Sequence, residues 1–397
     1  MNPAPVRQSR PPFQTAQVLT LSACHFIHDI YSSFLAPLLP LLIEKLSLSL
    51  AQAGFLTTVM QLPSLLNPAI GILADRMSVR YFIILAPAMT AVPMSLIGVA
   101  PNYGVLLLLM FAAGISVALF HVPAPVMIAR FSGPKKGRGM SFYMVGGEFA
   151  RTLGPIAAVG AVSLMGLEGF YPIMTVGLLA SLWLYLRFSD TTVRVKNPER
   201  TSLLTTWQEM RPILLPLTGI LFARGFMHAS MAAFLPTFIE IETGNLWLAG
   251  IGLTIYEATG VLGVLVAGSL SDTLGRRNML FIALLGAPIG VFLFTGLSGY
   301  LKYAALVFIG FTLLSTTPVM LALVQEHARS GPAAANGFFM MASFMARSAI
   351  VVGVGYMADV VGLKTTYYIS AAIGLAGIPL IFLLPKKIHG ASQTHQS

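Results

Sequence analysis

Ten ionisable side chains lie inside long apolar stretches of this sequence, where each charge costs about 2.5 to 3.5 kcal/mol on an insertion scale. They are His25, His28, Asp29, His121, Glu148, Arg151, Arg224, His228, Glu257 and Arg347. Three acids are matched by three arginines, which is typical of a buried charge network. Ionisable residues in such stretches indicate a path for a substrate or for protons.

Asp29 is the acid that has a histidine directly beside it. Carboxylates and imidazoles exchange protons, and histidine does so near neutral pH. We therefore predict a proton-coupling site of Asp29, His28 and Glu148. A purely structural role for the histidines stays open. His25 and His28 at i and i+3 could also join Asp29 as metal ligands, but a transition-metal exporter usually offers a denser cluster, so no metal or cofactor is predicted.

The arginines indicate the charge of a substrate. Glu148 and Arg151 are spaced i, i+3 on one helical face, as a structural salt bridge or as a pair in a cavity. Arg224 and Arg347 have no acid at helical spacing in their own stretches, so the sequence predicts contacts with Glu257, with another helix or with an anion. A guanidinium suits carboxylate, phosphate or phosphonate. The predicted substrate-binding residues are Arg151, Arg224, Arg347, His121, His228 and Glu257.

Composition places the chain in a lipid bilayer. Hydrophobic residues make up 56% of the 397 positions and charged residues only 10%, against roughly a quarter in soluble domains. The net charge of +10 does not indicate nucleic acid, because the basic residues lie in short gaps rather than in a cluster. Cys24 is the single cysteine, which excludes a disulfide framework.

The apolar stretches predict an all-α membrane protein with twelve transmembrane helices, since about 20 residues cross the hydrocarbon. The predicted spans are 17–43, 49–74, 80–99, 104–129, 138–165, 168–187, 212–240, 246–271, 277–297, 301–326, 332–360 and 364–385. A polar segment separates two groups of six. We therefore predict a six-helix bundle at 1–190, a cytoplasmic linker at 191–210 and a second six-helix bundle at 211–397.

Loop charges predict the orientation of these spans. Of the 24 Lys and Arg residues, Lys45, Lys302 and Lys364 fall on one side and three arginines lie within spans. The other eighteen, 24 minus 6, lie on the side that holds both termini. Cytoplasmic loops carry the excess of Lys and Arg, so both termini are expected to be cytoplasmic, in a multi-pass protein of the bacterial cell inner membrane.

A repeated motif relates the two halves. GILADRMSVR at 71–80 recurs as GSLSDTLGRR at 268–277, an offset of 268 minus 71, or 197 residues. His28 and His228, and Arg151 and Arg347, recur at similar offsets, which predicts a duplicated fold. The motif resembles the signature loop of the major facilitator superfamily, whose halves form parallel repeats around a midplane substrate site. The resemblance implies a conformational gate at Gly71, Asp75, Arg76, Gly268, Asp272 and Arg276.

Further strings narrow the resemblance. CHFIHD at 24–29, FHVPA at 120–124, and VGG and LGP at 145–147 and 153–155 resemble the fosmidomycin-resistance family. The glycines of the fifth span also predict a close helix approach, and its Gly154-Pro155 pair is similar to an element of proton-coupled drug antiporters. The resemblance implies drug efflux and an antiporter.

We therefore predict a transporter rather than an enzyme: a proton-coupled antiporter, expected to be monomeric, that exports a small anionic organic compound or drug. No GxxxxGK[ST] phosphate loop occurs, so an ion gradient rather than ATP is the expected energy source. Two alternatives stay open. The same arginines would serve a proton-coupled uptake symporter for an organic anion, and a non-transporting membrane receptor or assembly factor would share the architecture.

Overall fold

The computed structural model describes residues 13–67, 70, 80–121, 123–132, 136–188, 203–327 and 332–385. Every regular element in these ranges is helical, and none of them contains a strand. Long apolar runs dictate this outcome, because a helix satisfies its backbone hydrogen bonds internally where lipid offers no partners. The predicted all-α class is confirmed for the described residues.

The helices of the first half are named in chain order. They are α1 (Thr15–Ser32), α2 (Leu35–Leu46), α3 (Leu50–Gln61), α4 (Arg80–Leu96), α5 (Tyr103–His121), α6 (Ala124–Phe131), α7 (Lys136–Met165) and α8 (Met174–Arg187). Short 3-10 turns at Leu62–Leu66, Ile97–Val99 and Tyr171–Ile173 extend or connect them.

The second half contains the longest helices. They are α9 (Leu203–Thr243), α10 (Leu246–Leu274), α11 (Arg276–Gly296), α12 (Leu301–Leu314), α13 (Thr316–His327), α14 (Pro332–Val361), α15 (Leu363–Leu375) and α16 (Gly377–Ile381). The linker predicted at 191–210 lies largely outside the described residues.

Eight helical segments among the described residues are long and apolar enough to cross a membrane. They are Thr15–Leu46, Arg80–Val99, Tyr103–His121, Trp207–Thr243, Leu246–Ala267, Arg276–Gly296, Leu301–Val324 and Phe338–Val361. Each coincides with a predicted span, with ends that differ by a few residues in most cases. The other four predicted spans do not meet this criterion over the described residues, so the count of twelve and the cytoplasmic termini stay predictions.

The chain divides into two compact units. The first contains residues 1–38 and 59–198, and the second contains 39–58 and 199–397, as far as these are described. The second unit thus takes in a short segment from early in the chain. The predicted bundle boundaries at 190 and 211 stay a prediction.

The first apolar span is interrupted just after Asp29. The hydroxyls of Ser32 and Ser33 both donate to the Asp29 carbonyl, at 2.8 and 2.9 Å. Serine hydroxyls that bond back to earlier carbonyls compete with the backbone ladder and bend helices. Here α1 ends at Ser32 and α2 begins at Leu35, so the acid lies in the last turn of α1.

Glycines bring α7 against α1 in the first unit. A Cβ on Gly146 would lie 2.4 Å from the Ser22 carbonyl oxygen, and one on Gly154 would lie 2.5 Å from the Ser33 Cβ. Only glycine allows the two backbones this close, which confirms the close approach predicted for the fifth span. The approach sets α7 beside the polar face of α1.

A carboxylate caps helix α3 within the second unit. Asp359, near the end of α14, accepts from the backbone N–H of Leu50 at 2.7 Å and of Ala51 at 2.8 Å. The first N–H groups of a helix have no partner within it, so this acid on another helix supplies the cap. Gly355 permits the contact, because its Cβ would lie 2.3 Å from the Leu50 carbonyl oxygen.

Replacing Asp359 with alanine should destabilise the protein. The change leaves two N–H groups of α3 uncapped, and losing a cap lowers the free energy of unfolding by about 0.5 to 2 kcal/mol. Chemical denaturation of the purified protein in detergent measures the loss. Asp359→Asn, which keeps one carbonyl acceptor, should lose less, and Glu44→Ala at an exposed position of α2 serves as the control. Equal unfolding midpoints for wild type and Asp359→Ala would contradict the capping role.

Candidate functional site

Asp29 is the centre of a buried cluster in the first unit. Its Oδ1 lies 2.7 Å from His28 Nδ1 and 3.5 Å from His121 Nε2, and its Oδ2 lies 3.1 Å from His25 Nε2. His25, His28 and Asp29 are all buried. Three imidazoles therefore surround one carboxylate, and we name these four residues the histidine–aspartate cluster.

Backbone carbonyls orient two of the imidazoles. His25 Nδ1 donates to the carbonyl of Tyr143 on α7 at 2.8 Å, and His121 Nδ1 donates to that of Val117 one turn earlier on α5 at 3.0 Å. In both rings the other nitrogen, Nε2, is then directed at Asp29. A hydrogen bond from one ring nitrogen to a carbonyl fixes both the tautomer and the orientation of a histidine.

Aromatic rings form the walls of the cluster. The His25 ring stacks on Tyr143 at a centroid distance of 4.0 Å, and the His28 ring stacks on Phe120 at 4.5 Å. A Cβ on Gly147 would lie 2.6 Å from His25 Cε1, so this glycine leaves room for the imidazole. Sequence reasoning singled out the ionisable members but not Tyr143 or the role of Gly147, because nothing in their spacing indicates that α7 faces α1 at this level.

Glu148 and Arg151 of α7 form the salt bridge that their i, i+3 spacing predicts. The carboxylate is the more buried partner, with 16% of its side chain exposed against 48% for the guanidinium. Arg151 also lies within Coulomb range of His121. This pair therefore adds a charge of each sign beside the histidine–aspartate cluster.

Arg224 is the deeply buried charge of the second unit, with an exposed fraction of 6%. Its Nη1 donates to the Leu313 carbonyl at 3.1 Å and to the Thr316 hydroxyl, both of which are neutral. Its Nε is buried without a hydrogen-bond partner. Within the described part of the chain, Arg224 forms no salt bridge.

Other predicted residues of the second unit gather near Arg224. His228 Nδ1 lies 3.3 Å from the hydroxyl of the buried Tyr256. Arg347 is close enough to Arg224 and to Tyr256 for their charges to interact, and Glu257 is equally close to Tyr256. The structure thus brings His228, Glu257, Arg224 and Arg347 into one neighbourhood. Sequence reasoning missed Tyr256 there, although its place next to Glu257 was a usable signal.

The second signature loop forms a charged junction between helices. Gly275, between α10 and α11, has φ +87°, a conformation that favours glycine. Arg276 then donates to Glu326 on α13, at 2.8 Å from Nη2, and to Ser271 on α10. Gly268 and Asp272 lie in the last turns of α10, while Gly71, Asp75 and Arg76 lie outside the described residues. The gating role of all six residues stays a prediction.

One donor atom each of His25, Asp29 and His121 lies within 4.8 Å of the others, a spacing that a single metal ion could bridge. Helical spacing indicates His28, rather than His121, as the histidine that would join His25 and Asp29, and no metal is predicted from the sequence. His121 comes from a different helix, about 90 residues away, so no local spacing indicates its proximity.

Known proteins resemble the chain over almost all of its length. It is 26% identical to the fosmidomycin resistance protein of Escherichia coli (strain K12), over 91% of each chain. It is 24% identical to the uncharacterized MFS-type transporter YfnC of Bacillus subtilis (strain 168), over 93% of this chain and 92% of that one. The resemblance inferred from short strings therefore extends to both halves.

Solved structures share the fold. A bacterial homolog of the human lysosomal transporter Spinster, in an inward-facing and occupied conformation, superposes with a TM-score of 0.81 at 16% identity. The match covers 95% of this chain and 97% of that one. The sequence profile of the Major Facilitator Superfamily matches residues 21–351 and 248–396. The chain therefore belongs to the major facilitator superfamily and is a membrane transporter, not an enzyme.

Proposed function

We propose that this protein is a proton-coupled antiporter of the bacterial inner membrane that exports a small anionic organic compound by alternating access. Asp29, His28 and Glu148 take part in coupling, and Arg151, Arg224, Arg347, His228 and Glu257 contribute to the substrate site. The protein acts as a monomer with both termini in the cytoplasm.

The observation that carries the proposal is the histidine–aspartate cluster. Asp29 is buried in an apolar span yet lies within 3.5 Å of three imidazole nitrogens. A buried carboxylate is costly unless its charge is matched, and imidazoles match it only when they supply protons. Gain and loss of protons therefore change the charge of this site, which is what coupling to a proton gradient requires.

The second unit supports an anionic substrate. Arg224 places a permanent positive charge where water is excluded, and its two hydrogen bonds go to neutral oxygens. Arg347 adds a second positive charge within Coulomb range. Arg224 is buried and Arg347 is exposed, so their repulsion is felt chiefly at Arg224, and an anion nearby would offset that cost. A cation would increase it.

The similarity to a resistance protein supports export as the direction of transport. The E. coli relative is described as a fosmidomycin resistance protein, and resistance is a common result of export. Fosmidomycin is itself a phosphonate, a group that suits a guanidinium fork. An exporter of phosphonates or related anions therefore agrees with both the relative and the arginines.

Asp29→Asn should uncouple transport from the proton gradient. Asparagine imitates a permanently protonated acid, so the variant should still equilibrate substrate but lose accumulation driven by pH. Inside-out membrane vesicles with an acidic lumen measure this, with fosmidomycin as the first probe. Wild-type vesicles should accumulate the anion, since an antiporter exchanges luminal protons for substrate.

Two results would change this assignment. Gradient-driven accumulation that survives in Asp29→Asn would move the coupling role to Glu148 or Glu257, which Glu148→Gln and Glu257→Gln would then separate. Loss of anion from an acidic lumen in the wild type would indicate the uptake symporter instead. No movement in either direction would favour a receptor or assembly factor.

Arg347→Gln should weaken an anionic substrate more than a neutral analogue of the same shape. Hydrogen bonds to charged groups contribute about 1.5 to 3 kcal/mol, which corresponds to roughly a ten- to hundredfold loss in affinity. Arg347→Lys should keep only part of the affinity for the anion, because lysine lacks the planar donor fork of arginine. Competition between labelled anion and each analogue in vesicles gives the affinities.

Arg211→Gln is the matched control, since Arg211 is an exposed arginine near the start of the same long helix, α9, that carries Arg224. It should leave both affinities unchanged. Equal losses for anion and neutral analogue in Arg347→Gln would show that the arginine acts through the fold rather than on substrate charge.

A further inference from the structure

The tautomers of two cluster histidines are fixed before any proton is transported. A carbonyl oxygen only accepts, so Nδ1 of His25, bonded to Tyr143, and Nδ1 of His121, bonded to Val117, must each carry hydrogen. A neutral imidazole has one N–H. Nε2 of each ring is therefore a bare lone pair whenever the ring is neutral.

Both bare nitrogens are directed at a carboxylate. His25 Nε2 is 3.1 Å from Asp29 Oδ2, and His121 Nε2 is 3.5 Å from Oδ1. Two acceptors at this separation repel in a buried site, and His25 Nε2 has no hydrogen-bond partner. A proton on Nε2 converts either repulsion into an attraction between imidazolium and carboxylate, which is strong where water is excluded.

His28 has the opposite arrangement. Its Nδ1, at 2.7 Å, donates to Asp29 as a neutral imidazole. Its Nε2 is buried and has no hydrogen-bond partner, so a second proton would place an N–H without an acceptor in apolar surroundings. His28 is therefore a positioning residue that stays neutral.

Exposure separates the two proton-binding rings. The His121 side chain is 38% exposed, whereas that of His25 is 5% exposed. A proton therefore reaches His121 first. Its transfer to Asp29 leaves a neutral imidazole and a neutral carboxyl group, and transfer from Asp29 to the lone pair on His25 Nε2 restores the carboxylate.

The other ionisable groups around α1 are few. α7 contributes the buried Tyr143 hydroxyl and the Glu148–Arg151 pair. The other helices that contact α1 are α4, α5, α6 and α8, and apart from His121 on α5 their ionisable residues lie only in terminal turns. These are Arg80, Tyr81, Tyr103, Arg130, Tyr185 and Arg187. α1 itself adds the buried Cys24 and Tyr31. The histidine–aspartate cluster is therefore the main group around this helix that exchanges protons near neutral pH.

We propose that His25 and His121 each bind a proton at Nε2, so that with Asp29 they form a two-proton store whose entrance is His121. This inference rests on the proposed proton coupling and assigns His121 to protons rather than to the substrate. With one proton bound the Asp29–histidine group is neutral, and with both it carries a net positive charge. Two protons would then be exchanged per transport cycle.

Nitrogen-15 NMR of the full chain with labelled histidine, in nanodiscs, tests the store without any transport. From about pH 9 to pH 5 the rings of His25 and His121 should start as the neutral form with hydrogen on Nδ1 and become imidazolium. His28 should stay neutral. The variants His25→Gln, His28→Gln and His121→Gln assign the signals.

His327→Gln is the matched control, because His327 Nδ1 also bonds the carbonyl one turn earlier, Leu323, at 2.8 Å. In vesicles His121→Gln should lower the number of protons exchanged per substrate from two to one, measured from the pH gradient that balances a set substrate gradient. His327→Gln should not change this ratio.

Each failure has its own signature. If His25 and His121 titrate as expected but wild-type vesicles show no gradient-driven transport, the proposed function fails and the proton store stands. If transport is proton-coupled but neither ring becomes imidazolium, the store is refuted and Asp29 alone carries the proton. Stoichiometric zinc in the purified protein, with ring signals that respond to a chelator rather than to pH, would replace protons with a metal ion.

A steric variant checks the same assignment independently. Gly147→Ala places a methyl group 2.6 Å from His25 Cε1 and 2.9 Å from Nε2. This should push the His25 ring away from Asp29 and remove the imidazolium signal of His25. Gly353→Ala, at a helical glycine with nothing within 4 Å, is the control. An unchanged His25 titration in Gly147→Ala would contradict the proposed contact.

Discussion

A charge inside an apolar helix must be matched within a few ångströms, and this constraint organises both units of the protein. In the first unit the unmatched charge would be that of Asp29, and three imidazoles converge on it. In the second unit it is that of Arg224, which is held by a backbone carbonyl and a hydroxyl. Asp29 is therefore surrounded by imidazoles, which can bind protons, whereas Arg224 bonds to a carbonyl and a hydroxyl, which do not.

This difference separates two tasks that a coupled transporter must perform. A site of titratable partners changes charge with the proton gradient, whereas an arginine keeps its charge at any working pH. The first property suits coupling and the second suits holding an anion. The duplication predicted from the sequence pairs His28 with His228, and their partners differ: Asp29 for His28 and the Tyr256 hydroxyl for His228.

Close helix packing is the second requirement of the cluster. The imidazole of His25 fits between α1 and α7 because Gly147 has no side chain there, and Gly146 lets the α7 backbone approach Ser22 of α1. The same approach brings the Tyr143 carbonyl to His25 Nδ1, which sets the direction of the other ring nitrogen. The Gly146-Gly147 pair, which the sequence indicates as a packing feature, therefore also determines which ring nitrogen of His25 carries hydrogen.

The sequence by itself determined the helical class, the superfamily, the Glu148–Arg151 pair and, among the described residues, the positions of eight helices long and apolar enough to cross a membrane. All of these follow from hydropathy, motif spacing or helical periodicity, which are local properties. Only the tertiary structure decided that His121 joins Asp29, that Tyr143 orients His25 and that Tyr256 contacts His228. These partners lie on other helices, and which faces of two apolar helices meet depends on side-chain packing that residue spacing along one chain does not encode.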